Sequence, residues 1–324
     1  MTGTLRAAAV AGSSEDRGAV PPTGADRVAV GGPDAAADRL AAAFTARFGR
    51  APGGVWTVPA VLPLLGGPDP GRSAALFTTV DRRAVVAVGR APGGGTDLLG
   101  EDDGRPAPPL LRTAAERVGR GLAAQQPAAG PGAGGPVRGV AAAELEAALA
   151  APGTAVAVRA AGARCVPVAP SLGAGEWSLV LLDSGQRDPA RDVGHDRLLS
   201  RGGSARWAGW AAGEEARVEA AVPALRAGDL GAVGQLMTDS HVAAREDLRL
   251  SSVQVEATVA AALQAGAAGA RLVEAAFWGP VLALVPAARV ADVAAAVRES
   301  ALRLGFPRPS ATRLRPGVRA RRVR

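Results

Sequence analysis

Hydrophobic and polar positions follow the most regular pattern in the last third of the chain. Four segments have the three-to-four-residue spacing of amphipathic helices, and three short apolar runs read as strands. The expected helices are 214–226, 230–248, 253–264 and 290–304, and the expected strands are 271–273, 281–285 and 312–314. Ser251 or Ser252 is placed to cap the third helix, and Gly266 to end it. The order helix, strand, strand, helix, strand predicts an α+β fold with helices on one face of an antiparallel sheet.

The first half of the chain has a weaker pattern. Residues 35–48 have helical spacing, with Gly49 placed to end the helix, whereas residues 90–139 look loop-like apart from a modest helix at 111–122. A further helix is expected at 140–149. The expected strands are 55–58, 75–80, 84–88, 155–159, 164–168 and 178–182. We therefore expect a mobile leader at 1–34, an N-terminal domain at 35–170 and a C-terminal domain at 171–324.

The composition indicates a globular protein with a net positive charge. Hydrophobic residues make up 48% of the chain, enough for a full core. All 37 basic residues are Arg, and the net charge is +7. Because Arg here stands wherever Lys would otherwise be used, this charge is only a weak sign of acidic partners, and nucleic-acid binding is not expected.

Cysteine and histidine are too scarce for a disulfide or a zinc cluster. Cys165 is the single cysteine, and His195 and His241 are the two histidines. We expect no metal site of the Cys/His type and a reducing, cytoplasmic setting. The apolar patch near the start is interrupted by polar residues 13–16, so it is too short for a secretory core, and no run is long enough to predict a membrane span.

The connection between the strands 271–273 and 281–285 is unusual. The stretch GARLVEAAFWGPVLALVP places Phe277 and Trp278 side by side where turns favour Gly, Asn or Asp. Three interpretations are open: a binding loop, a loop that plugs a pocket, and a packed corner.

Three segments together resemble galactokinases, which belong to the GHMP superfamily with homoserine, mevalonate and phosphomevalonate kinases. They are AFTARFGRAPGGVWTVP at 43–59, LVLLDSGQRD at 179–188, and GQLMTDSHVAAREDLRLSSVQVE at 234–256 followed by the stretch at 269–286. The resemblance implies a two-domain GHMP-kinase-like fold, with a shortened nucleotide-binding N-terminal domain and a ferredoxin-like C-terminal domain. It also implies phosphorylation of galactose at the anomeric hydroxyl, with ATP and Mg²⁺.

Several family positions carry different residues in this chain. After Pro59 the family has an Arg and a Glu-His pair that surround the sugar; Val61 and the pair Gly67-Pro68 stand there instead, and Asp69 remains as a candidate sugar contact. The family's Ser-rich phosphate loop has no counterpart, since the Gly-rich run 131–139 contains two Pro and no Ser and is better read as a linker.

The family's glycine-rich turn corresponds to residues 274–279. Glu274, Ala275 and Ala276 replace the first three glycines, Phe277 is kept, and Trp278 replaces the next position before Gly279. A carboxylate near the expected phosphate site brings like charges together, and the indole can fill the space that glycines leave. The plugged loop is therefore the favoured interpretation of this degenerate cofactor-binding turn.

The resemblance also implies candidate catalytic and substrate-binding residues in this chain. Glu146 falls on the family's catalytic Asp; the alternative is that Glu144 and Glu146 form the solvated face of a helix. Substrate contacts are implied for Asp183 and Gly185 in the Asp-Ser-Gly run, and for His195 and Asp196, which the alternative places in an exposed loop.

His241, by contrast, is expected to satisfy neighbouring backbone, and Cys165 to be a small core side chain.

The function expected from these residues is that of a catalytically impaired galactokinase relative, a pseudokinase with a binding or regulatory role. One alternative is a diverged, active sugar or small-molecule kinase that uses Glu146. A second is an Arg-rich nucleic-acid or acidic-surface binder using residues 303–324, which contain eight Arg. A closing strand followed by a solvated tail explains the same residues more simply.

Overall fold

Two antiparallel β-sheets and the helices packed on them make up the described part of the chain. The computed structural model describes residues 33–66, 73–92, 96–102, 154–158, 166–168, 175–183, 205–273 and 280–324, with single positions at 118, 148 and 150. The helices are α1 Pro33–Phe48, α2 Ala205–Ala227, α3 Leu230–Leu248, α4 Val253–Gln264 and α5 Val290–Arg303. The strands are β1 Gly54–Gly66, β2 Ala75–Arg90, β3 Thr96–Asp102, β4 Ala155–Val158, β5 Val166–Val168, β6 Trp177–Asp183, β7 Gly269–Leu272, β8 Val281–Pro286, β9 Ser310–Leu314 and β10 Arg321–Arg322.

The first sheet is built around the long pair β1 and β2. Its order is β10-β1-β2-β4-β5, with β3 also paired to β2. The apolar run GVWTVPAVLPLLG is buried along almost its whole length because both faces of β1 are covered. The pairing of β1 with β2 shifts after Pro59 and after Pro63, where the chain has no N–H to give to the ladder.

The second sheet has the order β7-β8-β6-β9 and different neighbours on its two faces. Val180, Leu182 and Ala283 pack with apolar residues of α4 and α5. Leu181 and Leu282 point the other way, into a core shared with β1, α2 and α3. The alternation of strand side chains thus lets one sheet serve two cores, and the fold is α+β as predicted.

The C-terminal elements agree closely with the predicted ones. Helices α3 and α4 have the predicted bounds, and Ser252 is the residue that caps α4, accepting the N–H of Val255 at 3.3 Å. Gly266 follows α4 with φ +99°. Helix α3 lies so close to β7 that a Cβ on Gly269 would collide with the backbone of Gly234.

Several elements differ from their predictions. Strand β1, expected at 55–58, extends to Gly66 because β2 pairs with it along its length. The runs 75–80 and 84–88 form the single strand β2, because the polar residues between them are held in place: Asp81 accepts the Arg315 N–H through Oδ1 at 3.0 Å and donates its own N–H to the Arg315 carbonyl at 2.9 Å. Helix α2 starts at Ala205 rather than at 214, since Trp207 and Trp210 are buried and pack with their ring centroids 5.1 Å apart.

Strand β3 was expected to be a loop. It pairs with β2 over seven residues, and its polar side chains find basic partners outside the strand: Asp97 with Arg50, and Glu101 with Arg39. Pairing with an existing strand overrides the weak local pattern of TDLLGED.

Several predictions concern residues outside the described part of the chain. They include most of the leader 1–34 and of the helices 111–122 and 140–149. Residues 31–324 form one compact unit, and the division into domains at 170/171 stays a prediction. The closing residues return to the first sheet, where β10 pairs with β1. Among the helices described, none is both long and apolar enough to cross a membrane.

Candidate functional site

Three strands that precede segments named by the sequence analysis end at one edge of the structure. Strands β6 and β7 both pair antiparallel with β8, so they run in the same direction and end at the same edge. Leu182 and Leu272 are both register partners of Val281. Asp183 and Val273, which follow them, are the last described residues before 184–204 and 274–279.

Strand β1 reaches the same place. Its last residue, Gly66, precedes residues 67–72, and the carbonyl of Gly66 accepts a hydrogen bond from Arg271 of β7 at 2.8 Å. The edge at Gly66, Asp183 and Val273 is therefore the candidate functional site.

Of the residues predicted for the site, Asp183 is the one that the structure describes. It is buried at the end of β6 and already engaged in an interaction. The others lie outside the described residues: Asp69, Glu146, Gly185, His195, Asp196, Glu274, Phe277, Trp278 and Gly279. The structure brings together the chain ends that lead into Asp69, Gly185 and Glu274, and it does not test their roles.

Glu214 is a site residue that the sequence analysis missed. It is completely buried on α2. Oε2 accepts the Gly66 N–H at 2.7 Å and the Ser240 hydroxyl at 3.0 Å. Oε1 accepts Nε–H of Arg217 at 2.8 Å, and Nη2 of the same guanidinium lies 2.7 Å from it as an ion pair. Both carboxylate oxygens thus have donors, and Glu214 is a buried charge with a cationic partner.

Arg271 is the second missed residue, and its pairing is incomplete. Its side chain is buried, with 4% of the residue exposed, and Nη2 donates to the Gly66 carbonyl. Nε and Nη1 find no acceptor in the structure as described. Burial lowers the pKa of Arg271, while the charge of Glu214 opposes that change and the charge of Arg217 adds to it.

A sequence signal for both residues does exist. Glu214 occupies the buried stripe of α2, and Arg271 points to the core face of β7, where the pattern otherwise calls for apolar residues. A charge at a core position is a departure from binary patterning that merits a functional explanation.

Gly66 is held in a conformation that other residues rarely adopt. Its φ is +94°, and a Cβ at this position would overlap the Ala74 carbonyl and the Ala75 backbone. Strand β1 therefore leaves the sheet in a direction that requires glycine.

A second polar cluster lies beside the first and is centred on His241. Ser240 and His241 are consecutive on α3: the first bonds Glu214, and the second accepts the Leu272 N–H at Nδ1, at 3.4 Å. With Nδ1 acting as acceptor, the proton is assigned to Nε2, which donates to Glu256 at 3.0 Å. The bond from Leu272 agrees with the structural role expected for His241.

The titration of this cluster follows from its burial. Burial lowers the pKa of His241, against the raising effect of Glu256, and the charges of Arg271 and Arg245 lower it further. Glu256 is half-buried, which works to raise its pKa, but hydrogen bonds from Ser251 and Arg245 outweigh burial and leave the pKa lowered. His241 is thus neutral beside an ionised carboxylate at neutral pH.

Glu214 is committed to partners within the protein. Mg²⁺ is usually held through one or two carboxylates that have free lone pairs. The oxygens of Glu214 take three hydrogen bonds and an ion pair, and Asp183 already has an interaction partner. Within the described ranges, no group of three or more His, Cys, Asp or Glu residues is placed to hold a metal ion.

The fold is similar to the folds of two kinases of known structure. The crystal structure of Lactococcus lactis galactokinase complexed with galactose matches with a TM-score of 0.62 and 15% identity, over 88% of this chain and 99% of that chain. L. major mevalonate kinase in complex with R-mevalonate matches with a TM-score of 0.52 and 16% identity, over 81% of this chain and 96% of that chain. No protein-family model matches the sequence.

The sequence matches to curated galactokinases cover about a third of this chain. The galactokinase of Mycobacterium tuberculosis is 41% identical over 100 residues, which is 31% of this chain. The match spans 28% of the length of that relative. This chain is therefore similar to galactokinases over about a quarter of their length, and its fold is similar to those of galactokinase and mevalonate kinase.

Proposed function

We propose that this chain is a catalytically impaired member of the galactokinase family, a pseudokinase that acts in the cytoplasm by binding a sugar or in a regulatory role. The observation that carries the proposal is the state of Glu214, the completely buried carboxylate at the candidate site. Its oxygens take three hydrogen bonds and an ion pair from groups of the protein itself. Phosphoryl transfer needs a carboxylate that is free to hold Mg²⁺ or to position the attacking hydroxyl.

The sequence of the segments that leave this edge supports the same proposal. Val61 and Gly67-Pro68 stand where galactokinases have an Arg and a Glu-His pair, and Glu274 and Trp278 stand where the family has glycines. A carboxylate at a triphosphate site adds like-charge repulsion in a partly desolvated place, which costs on the order of several kcal/mol. Nucleotide binding is thereby disfavoured more than sugar binding.

Galactose or a related sugar is the ligand class that we propose. The similar proteins are named galactokinases, and the Lactococcus lactis structure is described as a complex with galactose. Asp69, Asp183, Gly185, His195 and Asp196 are the proposed contacts.

Calorimetry and thermal melts of the intact chain test the proposal. We expect no heat of binding for ATP with Mg²⁺, and a midpoint that rises with galactose but not with ATP and Mg²⁺, since a ligand of the native state must raise the midpoint. The Mycobacterium tuberculosis galactokinase is the positive control. Saturable nucleotide binding by this chain would contradict the proposal.

A diverged, active kinase is the second candidate, and one observation favours it. The N–H and the carbonyl of Gly66 are both hydrogen-bonded, to Glu214 and Arg271 respectively, and these bonds fix the end of β1. A protein that no longer needed a shaped binding site would not need these bonds. Turnover of labelled ATP over a panel of sugars, lost in Glu146→Gln, would establish this alternative, and silence across the panel would eliminate it.

A further inference from the structure

The peptide groups on both sides of Gly66 are held by opposite charges from distant parts of the chain. Its N–H donates to Glu214 on α2, 148 residues away, and its carbonyl accepts from Arg271 on β7, 205 residues away. Neither contact is part of a sheet ladder or a helix. Strand β1 therefore ends between an acid and a base that are both buried.

Glu214 has hydrogen-bond partners other than Arg271, whereas the pairing of Arg271 is incomplete. Both oxygens of the Glu214 carboxylate are hydrogen-bonded, and Arg217 is its ion-pair partner, without any hydrogen bond from Arg271. Arg271 has the Gly66 carbonyl as its hydrogen-bond acceptor, while Nε and Nη1 have none among the described residues. A buried guanidinium with unmet donors costs free energy that an apolar side chain of similar length would not. Stability alone is thus a poor explanation for Arg at position 271.

The position of Arg271 supplies a better explanation. Gly66 is the last described residue before 67–72, and Arg271 lies two residues before Val273, the last described residue before 274–279. One side chain therefore ties the end of β1 to the end of β7. The φ of +94° at Gly66 is a backbone conformation that favours glycine, so the end of β1 has a defined geometry to hold.

We propose that Arg271 is a positioning residue that, together with Glu214, fixes the directions in which β1 and β7 leave the sheets. Its task is to set the geometry of the ligand-binding edge rather than to stabilise the fold. The proposal deepens the proposed function and rests on it only in taking this edge as the binding site.

Hydrogen–deuterium exchange of the intact, ligand-free chain tests the assignment with two variants and a control. Arg271→Met removes the donor and the charge, and Arg271→Lys keeps a donor for the Gly66 carbonyl. Arg313→Met removes an exposed strand Arg on β9 and serves as the matched control. We expect Arg271→Met to speed exchange about tenfold in peptides covering the end of β1, 60–66, and β7, 269–273, the effect of losing one charged hydrogen bond.

The remaining readouts separate positioning from general stability. Peptides from α4 and α5 should exchange as in the parent chain, the melting temperature of Arg271→Met should stay close to that of Arg313→Met, and Arg271→Lys should restore slow exchange. A uniform rise in exchange, an unchanged rate at 60–66, or a rise that Lys fails to reverse would overturn the proposal.

A galactose titration of the same variants keeps this proposal distinct from the proposed function. If the parent chain shows no response to galactose, the sugar ligand is wrong, and the ligand-free exchange still decides the role of Arg271. If galactose raises the midpoint of the parent chain, Arg271→Met should shift the titration to higher galactose concentration while Arg271→Lys shifts it less. An equal response of Arg271→Met and the parent chain would overturn the positioning role.

Discussion

Glu214 and Gly66 are 148 residues apart in the chain, yet the Glu214 carboxylate accepts the Gly66 N–H at 2.7 Å. The contact joins α2 to the end of β1 through the core that the two sheets share. Because the carboxylate also accepts from Ser240 and Arg217, it gathers β1, α2 and α3 around one buried charge. The candidate site is thus built on long-range contacts that form only when the two parts of the chain pack together.

The first prediction concerns the loss of this charge. Glu214→Gln leaves the Arg217 and Arg271 guanidiniums without their buried counter-charge, so we expect a loss of about 3–5 kcal/mol in the free energy of unfolding. Urea unfolding measures it, with Glu215→Gln on the same helix as the matched control. A cost for Glu214→Gln no larger than the control's would contradict the role assigned to the charge.

The second prediction concerns the backbone at Gly66. In Gly66→Ala the positive φ alone costs about 1–2 kcal/mol, and the clash of the new Cβ with the Ala74 carbonyl adds to it. The matched control is Gly209→Ala, because nothing lies within 4 Å of a Cβ on this helical glycine. We expect the control to stabilise the protein by up to about 1 kcal/mol in thermal or urea unfolding. Equal effects of the two substitutions would contradict the strained exit of β1.

The third prediction is a pH dependence caused by His241. Its pKa is lowered in the fold, so the unfolded chain binds a proton near pH 6.5 that the folded chain does not. The contribution to stability is complete above pH 6.5 and is lost as the pH falls through and below that value, by at most about 1.4 kcal/mol per pH unit.

Urea unfolding between about pH 7.5 and 5.5 measures this slope. His241→Gln should flatten it, whereas His195→Gln, which replaces the chain's other histidine, should leave the His241 contribution in place. The carboxylate of Glu256, whose ordinary pKa is 4.5, adds its own loss of stability only at lower pH. A slope that His241→Gln leaves unchanged would contradict the prediction.

The fourth prediction concerns the Arg-rich closing segment. Backbone bonds join it to β1: the Val323 N–H donates to the Val55 carbonyl at 2.8 Å, and the Val55 N–H donates to Arg324 at 3.0 Å. Arg322 also donates to the Gly53 carbonyl at 2.9 Å. Deleting residues 319–324 should therefore lower the melting temperature, while Arg319→Gln with Arg321→Gln, which changes exposed charges, should not.

The same variants test the nucleic-acid alternative. We expect no shift of a labelled single-stranded oligonucleotide at low salt, with either the parent chain or the double variant, because the segment is committed to the sheet. A salt-dependent shift that the double variant weakens would instead support binding of phosphates by this segment.

Elements with strong periodicity could be predicted from the sequence, and elements that depend on a partner could not. The bounds of α3 and α4 follow from apolar spacing and end signals, and both are confirmed. Strand β3 was missed because its short polar pattern becomes a strand only beside β2. The sequence left Ser251 and Ser252 equivalent as caps, and packing decided for Ser252 while turning Ser251 towards Glu256.

The sequence by itself determined the fold class and the resemblance to galactokinases, because both follow from local periodicity and from residues that are neighbours along the chain. Tertiary structure alone decided which charges matter at the candidate site. Glu214 and Arg271 become a pair around Gly66 through contacts that span 148 and 205 residues. The physical reason is that a buried charge depends on the partners that folding brings to it, and sequence neighbours do not reveal those partners.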